Sequence, residues 1–366
     1  MIRVLHLRQG TGLYGAERAV LALAQATLAP FEPLIGTLVR PLAPDTLGDE
    51  ARKRGLAALC FESASRFDLR CARRVAQAAL EQDVQLLHAH DFKALFVALG
   101  AGLLARVPVV ATYHGDTGST RAVRVYEVVA RLLGNFTRGA AVVSRALETR
   151  LRRWAPLARV SFVPNGLLPP RPIGEAERAE ARARFGVEGQ CLAVIGRLSP
   201  EKGHAVLLEA LRGLQQPPLL LVAGDGPLRE SLQAAARDLP VSFLGYLDDP
   251  RAVFAAADAV VIPSHTEGLP LVALEALALG KPVVASAVGE LPSLLQGGAG
   301  LLVPPGDARA LTTALESLQH LAPAALHERA LARAGEFDAR AMARSYAALY
   351  SGALSGLALP TPSSSR

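Results

Sequence analysis

Twice along this chain of 366 residues, six short β-branched or Leu-rich runs alternate with longer Ala, Leu and Arg segments at helical spacing. Strands separated by a whole helix cannot close tight hairpins, so they pair in parallel with each helix as the crossover. Two open α/β sheets are therefore predicted. In the first, strands are expected at Ile2 to Leu7, Pro33 to Val39, Gln85 to His88, Pro108 to Thr112, Ala140 to Val143 and Val160 to Val163. In the second they are expected at Cys191 to Ile195, Leu219 to Ala223, Val241 to Leu244, Ala259 to Ile262, Pro282 to Ala285 and Gly300 to Val303. Between them, Val163 to Pro172 carries four prolines and an Asn-Gly, which exclude regular structure. This divides the chain into domains at residues 1–166 and 167–340. Residues 341–366 are expected to form a helix crossing back to the first domain and a frayed tail from Leu359.

With 51% apolar and 20% charged residues, the chain can offset the entropy of ordering a compact fold. Cys60, Cys71 and Cys191 lack the C-x-x-C spacing of a zinc or redox site and are expected as buried, reduced thiols. Met1 to Leu7 shows no secretory signal, and the longest uncharged apolar run, Ala94 to Ala105, is shorter than the roughly 20 residues that span a bilayer. A cytoplasmic protein is expected. Up to Pro172 the chain holds 23 Lys and Arg against 13 Asp and Glu; beyond it, 16 against 20. A basic first half attracts phosphates, anionic lipid or nucleic acid, but the aromatic and basic patterns that single out nucleic acid are missing.

Gly10-Thr-Gly12-Leu-Tyr-Gly15 follows the first expected strand and precedes a helical run, the context in which glycines admit a phosphate to a helix amino terminus. A dinucleotide site would also need an acid after the second strand to hold a ribose. The chain has Val39-Arg40-Pro41 there, which disfavours NAD and leaves NADP, with Arg40 on its 2′-phosphate, or a tight turn without ligand. The second half is more specific. Gly196-Arg197-Leu-Ser-Pro-Glu-Lys202-Gly203 brings two cations to a strand end, suited to a diphosphate leaving group. Gly224-Asp-Gly226-Pro227 keeps bulk from the same crevice. Glu267 and Glu275, seven residues apart, place two hydroxyl-accepting groups at one helix end, with Glu275 expected two turns in. Glu275 lying exposed or pairing with Lys281 is the bland alternative.

In order, Gly196 to Gly203, Gly224 to Pro227, Phe243-Leu-Gly245 and Glu267-x7-Glu275 resemble the retaining glycosyltransferases of family 4, which have the GT-B fold. Gly10 to Glu17, Leu87-His-Ala-His90, Thr112-Tyr-His114-Gly115 and Pro164-Asn165-Gly166 resemble that family's first-half motifs. The resemblance implies an α/β, GT-B-like architecture: two facing Rossmann-like domains with a cleft between them, the donor held mainly by the second and the acceptor by the first. It implies transfer of a hexose from a nucleotide-diphosphate sugar of UDP or GDP type to a hydroxyl, with retention and without a metal or other cofactor. By the same resemblance Arg197 and Lys202 bind the diphosphate, and Glu267 with the backbone of Gly268, Leu269, Pro270 and Leu271 holds the sugar and its phosphate. Glu275 then accepts bonds from the ribose, His114 orients the sugar or stabilises its anomeric carbon, and Gly12 and Gly15 let the first loop reach the diphosphate, with Gly196 and Gly224 on the donor side. Tyr14 stands where the family often has glycine and is expected, with His90 and Asn165, on the acceptor side.

A metal cluster of His88, His90, Asp91, His114 and Asp116 is conceivable, although residues alternating along a strand should turn His88 and His90 to opposite faces. A polar acceptor pocket and satisfied core histidines are the other readings. Arginines from Arg121 to Arg153 stud helices with apolar opposite faces, the pattern of a helix lying on anionic lipid or of a solvated face. A lipid-linked acceptor in bacterial polysaccharide or glycolipid synthesis, reached from the inner face of the cytoplasmic membrane, fits the first. An epimerase of the same fold, an NADP oxidoreductase and a decayed binding protein are the competing functions.

Overall fold

The computed structural model describes residues 1–10, 12–65, 67–115, 121–318 and 323–355. Asp116 and the tail from Leu359 lie outside the described residues, as do the side chains of Arg121 and Arg124. The chain forms two compact units: among the described residues, one comprises 1–114, 125–164 and 340–355, the other Gly115, 121–124 and 165–339.

The first unit holds seven strands: β1 (Ile2–Gln9), β2 (Phe31–Val39), β3 (Ala58–Glu62), β4 (Val84–Ala89), β5 (Val109–Tyr113), β6 (Gly139–Val142) and β7 (Val160–Phe162). All pair in parallel, in the order β3-β2-β1-β4-β5-β6-β7. The second holds β8 (Cys191–Ile195), β9 (Leu219–Ala223), β10 (Val241–Gly245), β11 (Ala259–Ile262), β12 (Val283–Ser286) and β13 (Gly300–Val303), in the parallel order β10-β9-β8-β11-β12-β13. Helices cover both faces of each sheet, so central strands read as near-continuous apolar runs such as Cys-Leu-Ala-Val-Ile of β8. These are two Rossmann-like sheets.

Strand β3 was not anticipated. It lies at the sheet edge, where only Phe61 of its five residues is buried, and this exposure also overturns the expected burial of Cys60. Cys71 and Cys191 are buried and free. Between Val163 and Pro172 the chain is irregular apart from a single bridge from Leu167 to Asp338. The helix Ala339–Leu354 packs on the first sheet: the Tyr350 hydroxyl lies 2.8 Å from His88 Nδ1, and that of Tyr346 2.9 Å from Thr112 Oγ1.

Candidate functional site

In an open α/β sheet, ligands bind beyond the carboxyl ends of the strands where the strand order reverses. In the second unit that point lies between β8 and β11. After β8 the chain makes a short 3-10 turn, Pro200–Lys202, and reverses at Gly203 (φ +65°) into the helix His204–Arg212. After β11 it runs through Pro263 to Pro270 into the helix Leu271–Ala278. The loops touch: His265 N–H donates to Glu201 O at 2.8 Å, and a Cβ on Gly203 would lie 1.9 Å from Pro263 O.

This contact brings Lys202 and Glu267 together across 65 positions of sequence. Lys202 Nζ donates to Glu267 Oε1 at 2.7 Å, and the buried Ser264 hydroxyl donates to the same oxygen at 2.7 Å. The Glu267 side chain is only 9% exposed against 29% for Lys202, so a nearly buried carboxylate anchors an ammonium whose far side meets solvent. Arg197 is exposed, with no ion-pair partner among the described residues. Gly196 and Gly224 pack backbone to backbone, since a Cβ on Gly224 would fall 1.8 Å from Gly196 O. Glu275 is half-buried and is the fifth residue of its helix, one turn in rather than two, because Pro270 already caps the helix. The Lys281 ammonium donates to Ala257 O at 2.8 Å, and burial pulls its pKa down to about 8. Asn165 is buried and donates from Nδ2 to Leu269 O at 2.8 Å, fixing the loop from Glu267 to Leu271 from beneath.

In the first unit the order reverses between β1 and β4, whose register sets His6 opposite His88. Beyond these strands Arg8 is held by Glu17 (Nε to Oε1, 2.8 Å), donates to His90 O at 2.6 Å and lies 3.9 Å from Asp91. Glu17 also accepts from Tyr14 N–H at 3.1 Å, which closes the start of the helix Gly15–Ala26. The Tyr14 ring folds over Gly12, where a Cβ would meet it at 2.6 Å, while Gly15 faces open space. Asp91 is a helix cap, accepting from Ala94 N–H at 2.8 Å.

The expectation that His88 and His90 face apart is overturned. Strand β4 ends at Ala89, the two-residue alternation stops there, and the two rings lie 3.9 Å apart. His6, His88 and His90 each bring a ring nitrogen within 4.8 Å of the others. Both nitrogens of His88 already bond, to Tyr350 and to Thr112 Oγ1 at 2.7 Å, so an ion there would have to displace one of them. His6 Nδ1 lies 3.1 Å from His90 Nε2, and His90 Nδ1 lies 3.3 Å from His114 Nε2. Burial lowers the pKa of His6 and His114 to about 3, with the Arg8 charge adding to the effect at His114. It holds His88 and His90 well below the ordinary value, helped by their histidine neighbours.

The model of Glycosyltransferase Family 4 matches residues 14–168, and that of Glycosyl transferases group 1 matches residues 189–320. A GDP-mannose-dependent alpha-(1-6)-phosphatidylinositol monomannoside mannosyltransferase of Mycolicibacterium smegmatis is 31% identical over 263 residues, covering 64% of this chain and 69% of that protein. The chain belongs to glycosyltransferase family 4. TuaC of Bacillus subtilis, a glycosyltransferase assigned to teichuronic acid biosynthesis, is 34% identical over 68% of this family 4 chain and 66% of its own length. Among solved structures, Anabaena HepE in complex with UDP-glucose superposes with a TM-score of 0.84 at 25% identity, covering 96% of this chain and all of that one (100%).

Three functional candidates escaped the sequence reading of this family 4 chain. Ser264 carries a signal in its spacing, three residues before Glu267. Arg8 carries one as a cation at the carboxyl end of the first strand, just before the glycine-rich loop and Glu17. His6 carried none beyond its place on β1. Replacing Gly203 by Ala is expected to cost about 3 kcal/mol or more, from a left-handed backbone plus a clash with main chain, read as a lowered urea midpoint. Gly15→Ala, whose Cβ meets nothing within 4 Å, is expected to stay within about 1 kcal/mol of wild type.

Proposed function

We propose that this chain transfers a hexose from a nucleoside-diphosphate sugar to a hydroxyl of a glycolipid or polysaccharide acceptor, with retention at the anomeric carbon and no metal. The observation that carries the reading is the Lys202–Glu267–Ser264 constellation at the β8/β11 reversal, with Arg197 beside it on the same loop. Lys202 and Arg197 supply the positive charge that stabilises a departing diphosphate. Glu267 is committed through Oε1 to two donors, which suits it to orienting Lys202 and a sugar hydroxyl rather than to attacking carbon. The acceptor oxygen then bonds to the anomeric carbon on the face the diphosphate leaves, and its proton passes to the departing phosphate oxygen. Glu275 takes the ribose hydroxyls, the backbone of Gly268 to Leu271 the phosphate, and His114 a hydroxyl of the sugar; Gly12, Tyr14 and His90 belong to the first unit, which takes the acceptor.

The names of the relatives support an acceptor in glycolipid or surface polysaccharide synthesis, and the UDP-glucose in HepE supports a nucleotide-sugar donor. Among the described residues no helix is long and apolar enough to cross a membrane. The arginine-rich helices offer an anionic surface less charge than residue counting suggests, because Arg131 pairs with Glu127 and both Arg145 and Arg152 pair with Glu148.

A thermal-shift series with UDP, GDP and ADP tests the donor site. A ligand at 100 times its Kd adds about 2.7 kcal/mol of apparent stability. One nucleoside diphosphate is expected to raise the Tm of wild type and to lose most of that effect in Glu275→Ala; no shift with any of the three refutes the reading.

A further inference from the structure

His6, His90 and His114 form an unbroken row of imidazoles, with ring planes within 15° and 30° of each other, so that the nitrogens at 3.1 and 3.3 Å meet nearly in plane. At the two ends of the row, His6 Nε2 and His114 Nδ1 are buried without a hydrogen-bond partner among the described residues. Each neutral imidazole carries one N–H, and each of the two internal bonds requires one proton. Only two arrangements satisfy both conditions. Either every proton points towards His114, leaving His6 Nε2 bare and His114 Nδ1 an N–H donor, or every proton points towards His6, leaving His6 Nε2–H donating to nothing and His114 Nδ1 bare.

The ends are not equivalent. His6 lies inside β1 with its whole side chain buried, whereas His114 lies just past the end of β5 and is partly exposed as a residue, although its Nδ1 is covered in the free protein. Orphaned buried N–H groups are rarer than under-satisfied acceptors, and of the two ends only the one on the partly exposed residue can gain an acceptor when a ligand binds. We propose that His6 and His90 are positioning residues that lock His114 in its Nδ1–H tautomer, so that the imidazole presents a hydrogen-bond donor to an oxygen of the sugar being transferred. The tautomer of a histidine is set by the bond its other nitrogen makes, and here that bond is itself set one ring further in. The deeply lowered pKa values keep all three rings neutral at physiological pH, as the proton count requires. The functional half of this inference rests on the glycosyl-transfer reading; the tautomer does not.

The test is nitrogen NMR of the ¹⁵N-histidine-labelled full chain without substrate, with the His114 signals assigned from His114→Gln. Wild type is expected to show His114 protonated at Nδ1 and bare at Nε2. His6→Leu, which removes the inner donor, should release the lock and mix the tautomers of His114. In His6→Asn an amide nitrogen stands close to the position of Nδ1 and can donate to His90, so the Nδ1–H form should return. Initial rates on the same proteins are expected to fall about tenfold in kcat for His6→Leu, the size of one lost hydrogen bond, with donor KM little changed and recovery in His6→Asn. His90→Phe, which cuts the row at its centre, should behave as His6→Leu does if the latter fails to fold. His114 protonated at Nε2 in wild type overturns the lock, and a mixed tautomer with unchanged kcat overturns its role in transfer. If no nucleotide sugar is turned over at all, the function fails while the NMR result still decides the tautomer.

Discussion

Lys202→Ala is expected to lower kcat by about 100 to 1000-fold, the range found when a preorganised group aimed at developing charge is removed. The ammonium is already placed in the free protein by Glu267 Oε1 at 2.7 Å, and that oxygen is itself placed by Ser264. No reorganisation is needed when charge builds on the leaving phosphate. Because the charge grows in the transition state, kcat should fall far more than donor KM rises. Glu267→Ala is expected to do comparable damage by another route, freeing Lys202 to turn into solvent and removing a sugar contact. The two losses should not add: with Glu267 gone, Lys202 is already misplaced, so the double variant should be little worse than the poorer single. Lys202→Arg should rescue poorly, since a planar fork cannot reproduce a point charge wedged between two loops. Circular dichroism and Tm would show the variants folded; rates within threefold of wild type for both single variants would remove these residues from the site.

This pair marks the limit of what the sequence discloses. Both residues stand out as charged side chains in strand-end loops, but their meeting depends on the strand order β10-β9-β8-β11-β12-β13, which sets loops 65 positions apart side by side. Strands buried on both faces, such as β8 and β9, are legible residue for residue because each is an apolar run bounded by turn formers. Edge strand β3 is not, because with one face in solvent Ala58 to Glu62 carries too little pattern. The histidines fail differently. Alternation correctly describes β4 up to Ala89, but His90 lies one residue past the last paired one, where the rule has no force, and its ring swings back beside His88. Asp91 reads as a candidate ligand by composition, yet its position just before an apolar helical run is the signature of the cap that it forms.

Acidification is expected to destabilise this protein well before its carboxylates titrate. His6 and His114 have pKa values near 3 in the folded state and about 6.5 unfolded, so between these limits the unfolded chain binds more protons. Folding stability therefore falls as pH drops from about 6.5 towards 3, and these groups contribute no pH dependence above about 7. At pH 5 each of the two costs roughly 2 kcal/mol relative to pH 7.5. His88 and His90 act in the same direction. His204 in the second unit follows with a folded pKa of about 4, its two ring nitrogens buried without partners among the described residues and Lys202 adding to the effect of burial. Against a typical total of 5 to 15 kcal/mol, such losses bring the chain close to its unfolding midpoint in mild acid. Urea titrations at pH 7.5, 6 and 5 would measure this directly, with the midpoint falling at each step. His6→Phe should flatten the slope, because an apolar ring of similar size has no proton to exchange, even where its stability at pH 7.5 is lower. A midpoint constant from pH 7.5 to 5 would mean that the buried imidazoles take up protons in place, and the neutral row from His6 to His114 would have to be abandoned with it.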